Sequence, residues 1–264
     1  MTDNISLPQK SLGDTGIDVS VLGLGTVKFG RNEQVKYPRS FDLPDDNAVL
    51  DLLAMAKELG INLLDTAPAY GSSEERLGKL LSDRDYWVLG SKVGEEFIDG
   101  QSVFNFDKQS VRKSVERSLD RLNTDYLDIV LIHSDGNDLA ILNETDCVET
   151  LKSLKQEGLI RSIGMSSKTV EGGLQALKVL DIAMVTYNSE STDEARVIDY
   201  AAENDKGILV KKAMNSGHLS TSNNGMASAL EFVLSRAGVT SAIIGTINPD
   251  HLLANVNAAI AASS

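Results

Sequence analysis

The chain predicts an α/β fold, a (β/α)8 TIM barrel, on two observations. Strand-like and helix-like segments alternate from end to end, and the alternation runs through eight units. Alternation of this kind gives a parallel sheet, and eight units are the number that closes one into a barrel. The length agrees: 264 residues suit one barrel, which commonly needs about 250. Residues 1–264 are therefore read as a single domain with an N-terminal extension. An open doubly wound sheet competes, but no Gly-x-Gly-x-x-Gly turn opens the first helix, and Gly23-Leu-Gly25 alone is weak.

Each unit has its own local reason. Residues 19–25 read as the first barrel strand, and 46–59 as a helix with apolar residues at 49, 50, 52, 53, 56 and 59. The second strand is 61–65. Ser72-Ser-Glu-Glu75 then resembles a capping box opening a helix over 74–81. The third strand is 86–92, and Asp107 is placed to cap a helix that carries Val111, Val115, Leu119 and Leu122 on one face. The fourth strand, 127–133, leads to a helix over 146–157 that stops at Gly158. Strands 160–165, 182–187, 208–211 and 242–244 then alternate with helices 169–180, 193–204, 226–236 and 249–262, Gly207 serving as a stop. Residues 29–46, with Tyr37, Pro38, Phe41 and Pro44, are long for a βα connection and read as a binding loop or lid.

Composition narrows the function. A hydrophobic fraction of 42% supplies ample core. The net charge of −13 argues against nucleic acid, which selects a basic face. No apolar run approaches the roughly 18 residues of a membrane span, and no secretory signal is visible, so a soluble cytoplasmic protein with no membrane partner is expected. The single cysteine, Cys147, cannot form an internal disulfide and reads as a packed thiol.

The chemistry concentrates at strand ends. Asp65, Lys92 and His133 close three consecutive strands, and Tyr70 follows Asp65 by five residues, past a proline. Parallel neighbours lie about 4.8 Å apart, so these groups share one rim, where barrel enzymes work. A phenol ionises near pH 10, too high for an efficient proton donor at neutrality. An ammonium about 4 Å away, at an effective dielectric of 20, offers about 4 kcal/mol. Lowering the phenol by about 2 units needs roughly 2.7 kcal/mol. Lys92 is therefore expected to activate Tyr70, with Asp65 fixing Lys92 and His133 orienting the substrate oxygen. Singly, each has a plainer reading: a turn cap, a packing tyrosine, a solvated strand end, a loop histidine.

These residues resemble the aldo-keto reductases. The motifs are Leu64-Asp-Thr-Ala-Pro-Ala-Tyr-Gly71, Ser73-Glu-Glu-Arg-Leu-Gly78, Ser91-Lys92, the run from Ser118 to Asp128 leading into Leu131-Ile-His133, Gly164-Met-Ser-Ser167, Gly23-Leu-Gly-Thr26 and Gly245-Thr-Ile-Asn-Pro249 with Asn255. The resemblance implies a nicotinamide-dependent oxidoreductase that moves a hydride to or from a small-molecule carbonyl or alcohol substrate, without a metal. Asp65, Tyr70, Lys92 and His133 match the family's tetrad, Tyr70 acting as general acid or base. For the cofactor the resemblance implies Gly25, Thr26, Lys28, Ser166, Ser167, Lys211, Lys212, Gly245, Thr246, Asn248, His251 and Asn255. Phosphate would sit at the N-terminus of the helix around Pro249.

The chain departs from the family pattern at Met184, where a glutamine is common, and at Lys211, where many members carry an aromatic. No Lys or Arg occurs over 237–264, the region that usually grips the 2′-phosphate, leaving Lys212 or Arg196 to compensate. NADP is the expected cofactor and NAD the alternative. The pocket is expected to be open, shaped by 29–46 and 97–106. Two other readings compete: a Schiff-base aldolase using Lys92, and a cofactor-sensing module with little turnover. The sequence assigns no oligomeric state.

Overall fold

The computed structural model describes residues 7–35, 40–215 and 223–263, so Tyr37 and Pro38 of the expected lid lie outside the described residues. Eight parallel strands close into a barrel: β3 (Leu22–Gly25), β4 (Leu63–Asp65), β5 (Val88–Val93), β8 (Leu127–His133), β9 (Ile160–Ser166), β10 (Ile182–Thr186), β11 (Gly207–Lys211) and β12 (Ser241–Ile244), with β12 pairing back to β3. Helices α2 (Asp46–Glu58), α3 (Ser73–Leu80), α4 (Lys108–Leu122), α6 (Cys147–Gln156), α7 (Val170–Val179), α8 (Ala195–Glu203), α9 (Asn223–Leu234) and α10 (Pro249–Ala262) surround them. The expected (β/α)8 barrel with an N-terminal extension is the fold.

Two apolar layers hold it. The larger lies between strands and helices; the smaller fills the barrel with Leu63, Val88, Ile129, Leu131, Ile182, Met184 and Leu209. Alternate side chains of a strand point to opposite faces, so each strand feeds both layers. The extension is a hairpin of β1 (Gln9–Ser11) and β2 (Asp18–Ser20), and its Leu12 and Ile17 join the inner layer as a floor.

Several local expectations are corrected. The strand read over 19–25 is two: Val19 belongs to β2, and the barrel strand starts at Leu22. Tyr86 ends a 3-10 turn (Arg84–Tyr86), so the third barrel strand begins at Val88. The capping box is not formed. Ser72 makes no cap bond, and Glu75 instead pairs with Arg121 on α4 at 3.0 Å. Gly207 is not a helix stop. The left-handed residue after α8 is Asp205, φ 50°, and Gly207 opens β11 against Leu12, where a Cβ would crowd. Asp107 caps α4 as expected, accepting from Ser110 N at 2.9 Å. Cys147 is fully buried, and burial pushes its thiol up to about 12. Residues 97–106 fall largely in a second hairpin, β6 (Glu95–Ile98) and β7 (Gln101–Phe104), turned at Asp99 and Gly100, both with positive φ. Among the described residues no helix is long and apolar enough to cross a membrane.

Candidate active site

Strand register puts three of the four expected groups on one rim. Asp65 ends β4 opposite Gly90, Lys92 sits two residues further along β5, and His133 ends β8 opposite Ser166. Lys92 is 2% exposed and Asp65 6%. Lys92 Nζ donates to Asp65 Oδ1 at 2.6 Å and to the Thr66 carbonyl at 2.8 Å. Burial opposes the charge on Lys92, but Asp65 and Tyr70 outweigh it and hold the amine above its ordinary range.

Tyr70 closes a 3-10 turn (Pro68–Tyr70) begun by the proline. The turn is pressed onto α1 (Val27–Gly30) so closely that a Cβ on Gly30 would collide with the Tyr70 carbonyl, and one on Gly71 with that of Gly30. Gly71 also has φ 60°, which a side chain disfavours. This packing brings the Tyr70 ring over Lys92, whose Nζ is 4.7 Å from its centroid, and 6.5 Å from the His133 ring, edge to face. The four side chains converge on one mouth.

One electrostatic expectation is reversed. Burial pushes the Tyr70 phenol above its ordinary value, and the charge and hydrogen bond of Lys92 offset only part of that, since Asp65 and Glu95 push upward too. Lys92 sits inside an ion pair, and a paired charge has less left to give its neighbour. Tyr70 is therefore a protonated phenol at neutral pH, a donor in the resting site.

The expected cofactor residues divide. Lys211 reaches into the mouth, its Nζ donating to Ser166 Oγ at 2.8 Å and the Ser167 carbonyl at 2.6 Å. Burial lowers Lys211 to about 8, against the pull of Glu194. Lys28 is half-buried on α1, 5.1 Å from the Phe41 ring, and Lys212 lies beside Lys211 with φ 57°. Gly25 and Thr26 do not line an open channel. Both are buried, and Thr26 donates from N and Oγ1 to the Asp65 carbonyl at 2.9 and 3.1 Å, bracing the β4 end instead. Met184, in the expected glutamine position, is packed into the barrel interior.

At the far end, the helix at Pro249 is fourteen residues long, and its first amides are already satisfied: Asn248 Oδ1 accepts from Asp250 N at 2.8 Å and His251 N at 3.2 Å. His251 is exposed; Gly245 is half-buried and Thr246 buried in the preceding loop. Asn255 is 2% exposed, and its Oδ1 is buried with no partner among the described residues. A buried amide oxygen without a donor is costly, so this atom fits a ligand's amino group.

Sequence reasoning missed the supporting carboxylates. Glu95, at the start of β6, places Oε2 2.8 Å from His133 Nδ1. Glu194 accepts from Thr186 N at 3.0 Å and Ser167 Oγ at 3.4 Å. Asp138 accepts from Lys168 N, Thr169 N and Thr169 Oγ1 at 3.0, 2.8 and 2.7 Å, fixing the turn after Ser167. For Glu95 a signal existed: Asp99-Gly100 between Glu95-Glu-Phe-Ile98 and Gln101-Ser-Val-Phe104 is a hairpin turn, and the hairpin carries Glu95 back over the tyrosine.

Comparison with known proteins gives consistent results. The model of the Aldo/keto reductase family matches residues 21–229. Aldo-keto reductase YhdN of Bacillus subtilis is 32% identical over 217 residues, 79% of this chain but 62% of that protein. L-galactose dehydrogenase of Arabidopsis thaliana is 38% identical over 165 residues, covering 60% of this chain and 47% of its own. This chain thus spans less than two thirds of either relative. A solved structure assigned to the aldo-keto reductases, from Pseudomonas aeruginosa, is 55% identical, covers 97% of this chain and 95% of its own, and superposes with a TM-score of 0.90.

Proposed function

The chain belongs to the aldo/keto reductase family, nicotinamide-dependent oxidoreductases acting on small-molecule carbonyls, and from that premise we propose that Tyr70 exchanges the proton, and the cofactor the hydride, at one carbonyl carbon and oxygen. The observation that carries the proposal is Lys92, paired with Asp65 and lying against the Tyr70 ring, with His133 across the same mouth. When bound, the reduced nicotinamide supplies the hydride. Tyr70, a neutral phenol held by burial, donates its proton to the substrate oxygen, and the Lys92 ammonium steadies the phenolate left behind. Asp65 keeps that ammonium charged and in place.

Ser166, Ser167 and Lys211 are the groups offered to a carboxamide at the mouth, and Thr246 and Asn255 those offered to the adenosine end. NADP is the proposed form and requires a cation at the 2′-phosphate. Lys212 is the candidate, because 237–264 contains none. Rates with NADPH and NADH, taken separately, decide between the two forms. The Schiff-base reading of Lys92 loses its support: an amine held charged by a carboxylate at 2.6 Å is a poor nucleophile.

Tyr70→Phe tests the assignment. Turnover of an aldehyde panel, followed by reduced-nicotinamide absorbance, is expected to fall at least about 100-fold, with cofactor affinity unchanged within about twofold. A variant retaining most of the wild-type rate would end the reading.

A further inference from the structure

Lys211 ends β11 on the same rim as Lys92, and the two amines are held in opposite ways. Lys92 is buried and donates to a carboxylate, Asp65 Oδ1, at 2.6 Å. Lys211 keeps part of its surface open at the mouth, and its Nζ is bonded to two uncharged groups, Ser166 Oγ at 2.8 Å and the Ser167 carbonyl at 2.6 Å. Among the described residues Lys92 has an ion pair and Lys211 has none. Ser166 is the register partner of His133, so the Lys211 amine stands on the histidine side of the mouth.

Charged neighbours act on Lys211 from farther away. Burial of the amine is the strongest influence and lowers it to about 8. Glu194, ahead of α8, and Asp138 pull upward, while Lys212 and Lys92 push downward. His133 feels the same amine, which lowers the imidazole in turn. An ordinary lysine, near 10.5, is a free amine in roughly one molecule of three thousand at pH 7; one near 8 is free in roughly one of ten. The Ser167 carbonyl only accepts, so it takes one hydrogen of the neutral amine. With Ser166 Oγ accepting the other, the lone pair takes the remaining tetrahedral position, open to what enters the mouth.

We propose that Lys211 is a nucleophilic amine that captures small aldehydes as a Schiff base, a covalent site separate from the hydride-transfer chemistry. The nitrogen lone pair bonds to the aldehyde carbon, and the C=O electron pair moves to oxygen. The carbinolamine so formed expels that oxygen with both nitrogen hydrogens as one water. Nothing is oxidised or reduced, and neither a cofactor nor the Tyr70 proton takes part. The free amine that Asp65 denies to Lys92 is thus supplied from β11.

Propionaldehyde with cyanoborohydride, applied to the wild-type protein without cofactor, tests this. The reagent delivers hydride to the imine carbon and fixes the adduct as a secondary amine, which peptide mass mapping locates. A less basic amine is also a weaker nucleophile, which takes back part of the gain in free amine. At pH 7 Lys211 should still be alkylated at least about tenfold faster than the exposed Lys113 and Lys178, and Lys92 not detectably. The ratio of Lys211 to Lys113 labelling should fall as pH rises above about 8, where Lys211 is already free and Lys113 gains. Labelling of Lys211 no faster than of Lys113, or adducts on Lys92 instead, overturns the proposal. Tyr70→Phe should be trapped on Lys211 within about twofold of wild type, so this reading and the hydride-transfer reading fail separately. Loss of trapping in that variant would likewise end the proposal.

Discussion

At the scale of single residues, the mouth is governed by competition between burial and pairing. Lys92 stays charged because Asp65 outweighs its burial, Tyr70 stays protonated because Lys92 does not outweigh its own, and Glu95 stays ionised because His133 and Ser102 hold it. Glu95 has a measurable consequence for stability. Its folded value of about 2 lies below the ordinary 4.5, so the unfolded chain takes up that proton first as pH falls. The stabilisation is complete above pH 4.5 and is lost between about 4.5 and 2. The shift corresponds to an amount on the order of 3 kcal/mol. Urea titrations at pH 7 and pH 3 should show Glu95→Gln closing most of its stability gap to wild type at the lower pH. A gap that stays constant with pH would mean that Glu95 acts by packing alone.

At the scale of elements, turns and caps decide what each strand end presents. The Pro68–Tyr70 turn needs Gly30 and Gly71 to approach α1, and the hairpin of β6 and β7 needs Asp99 and Gly100 to fold back over it. Helix α10 is capped by Asn248, whose carboxamide oxygen accepts from two amides at the end where a phosphate is expected. Asn248→Ala removes the cap and should cost about 1 kcal/mol. In a domain of this size that is a fall of about 2–4 °C in Tm, readable by calorimetry. No shift would indicate that α10 is held by its buried face alone.

At the scale of the whole molecule, the barrel is closed at one end and carries Asp65, Tyr70, Lys92 and His133 at the other. Leu12 and Ile17 of the first hairpin floor the inner layer. Leu12→Ala should lower unfolding free energy by about 2–5 kcal/mol, while leaving kcat of the folded enzyme near wild type, because the cavity opens far from the rim. Chemical denaturation and steady-state rates on one sample separate the two effects. A chain of net −13 places Lys92 and Lys211 at the mouth, where Asp65, Glu95 and Glu194 stand beside them.

The amino-acid order determined the barrel and the meeting of four polar groups on its rim, because a parallel strand announces itself by a continuous apolar run and a residue closing that run stands on the rim. Asp65, Lys92 and His133 were legible for that reason, and Tyr70 by its fixed distance past a proline. The capping box at Ser72 and the stop at Gly207 misled, since short polar motifs recur where packing gives them other partners. Tertiary structure alone decided which carboxylates serve the mouth and which protons its groups carry. Glu95, Glu194 and Asp138 reach it from a hairpin, a helix cap and the start of α5 (Asp138–Glu144), and ionisation depends on depth from water and on neighbours brought from distant segments.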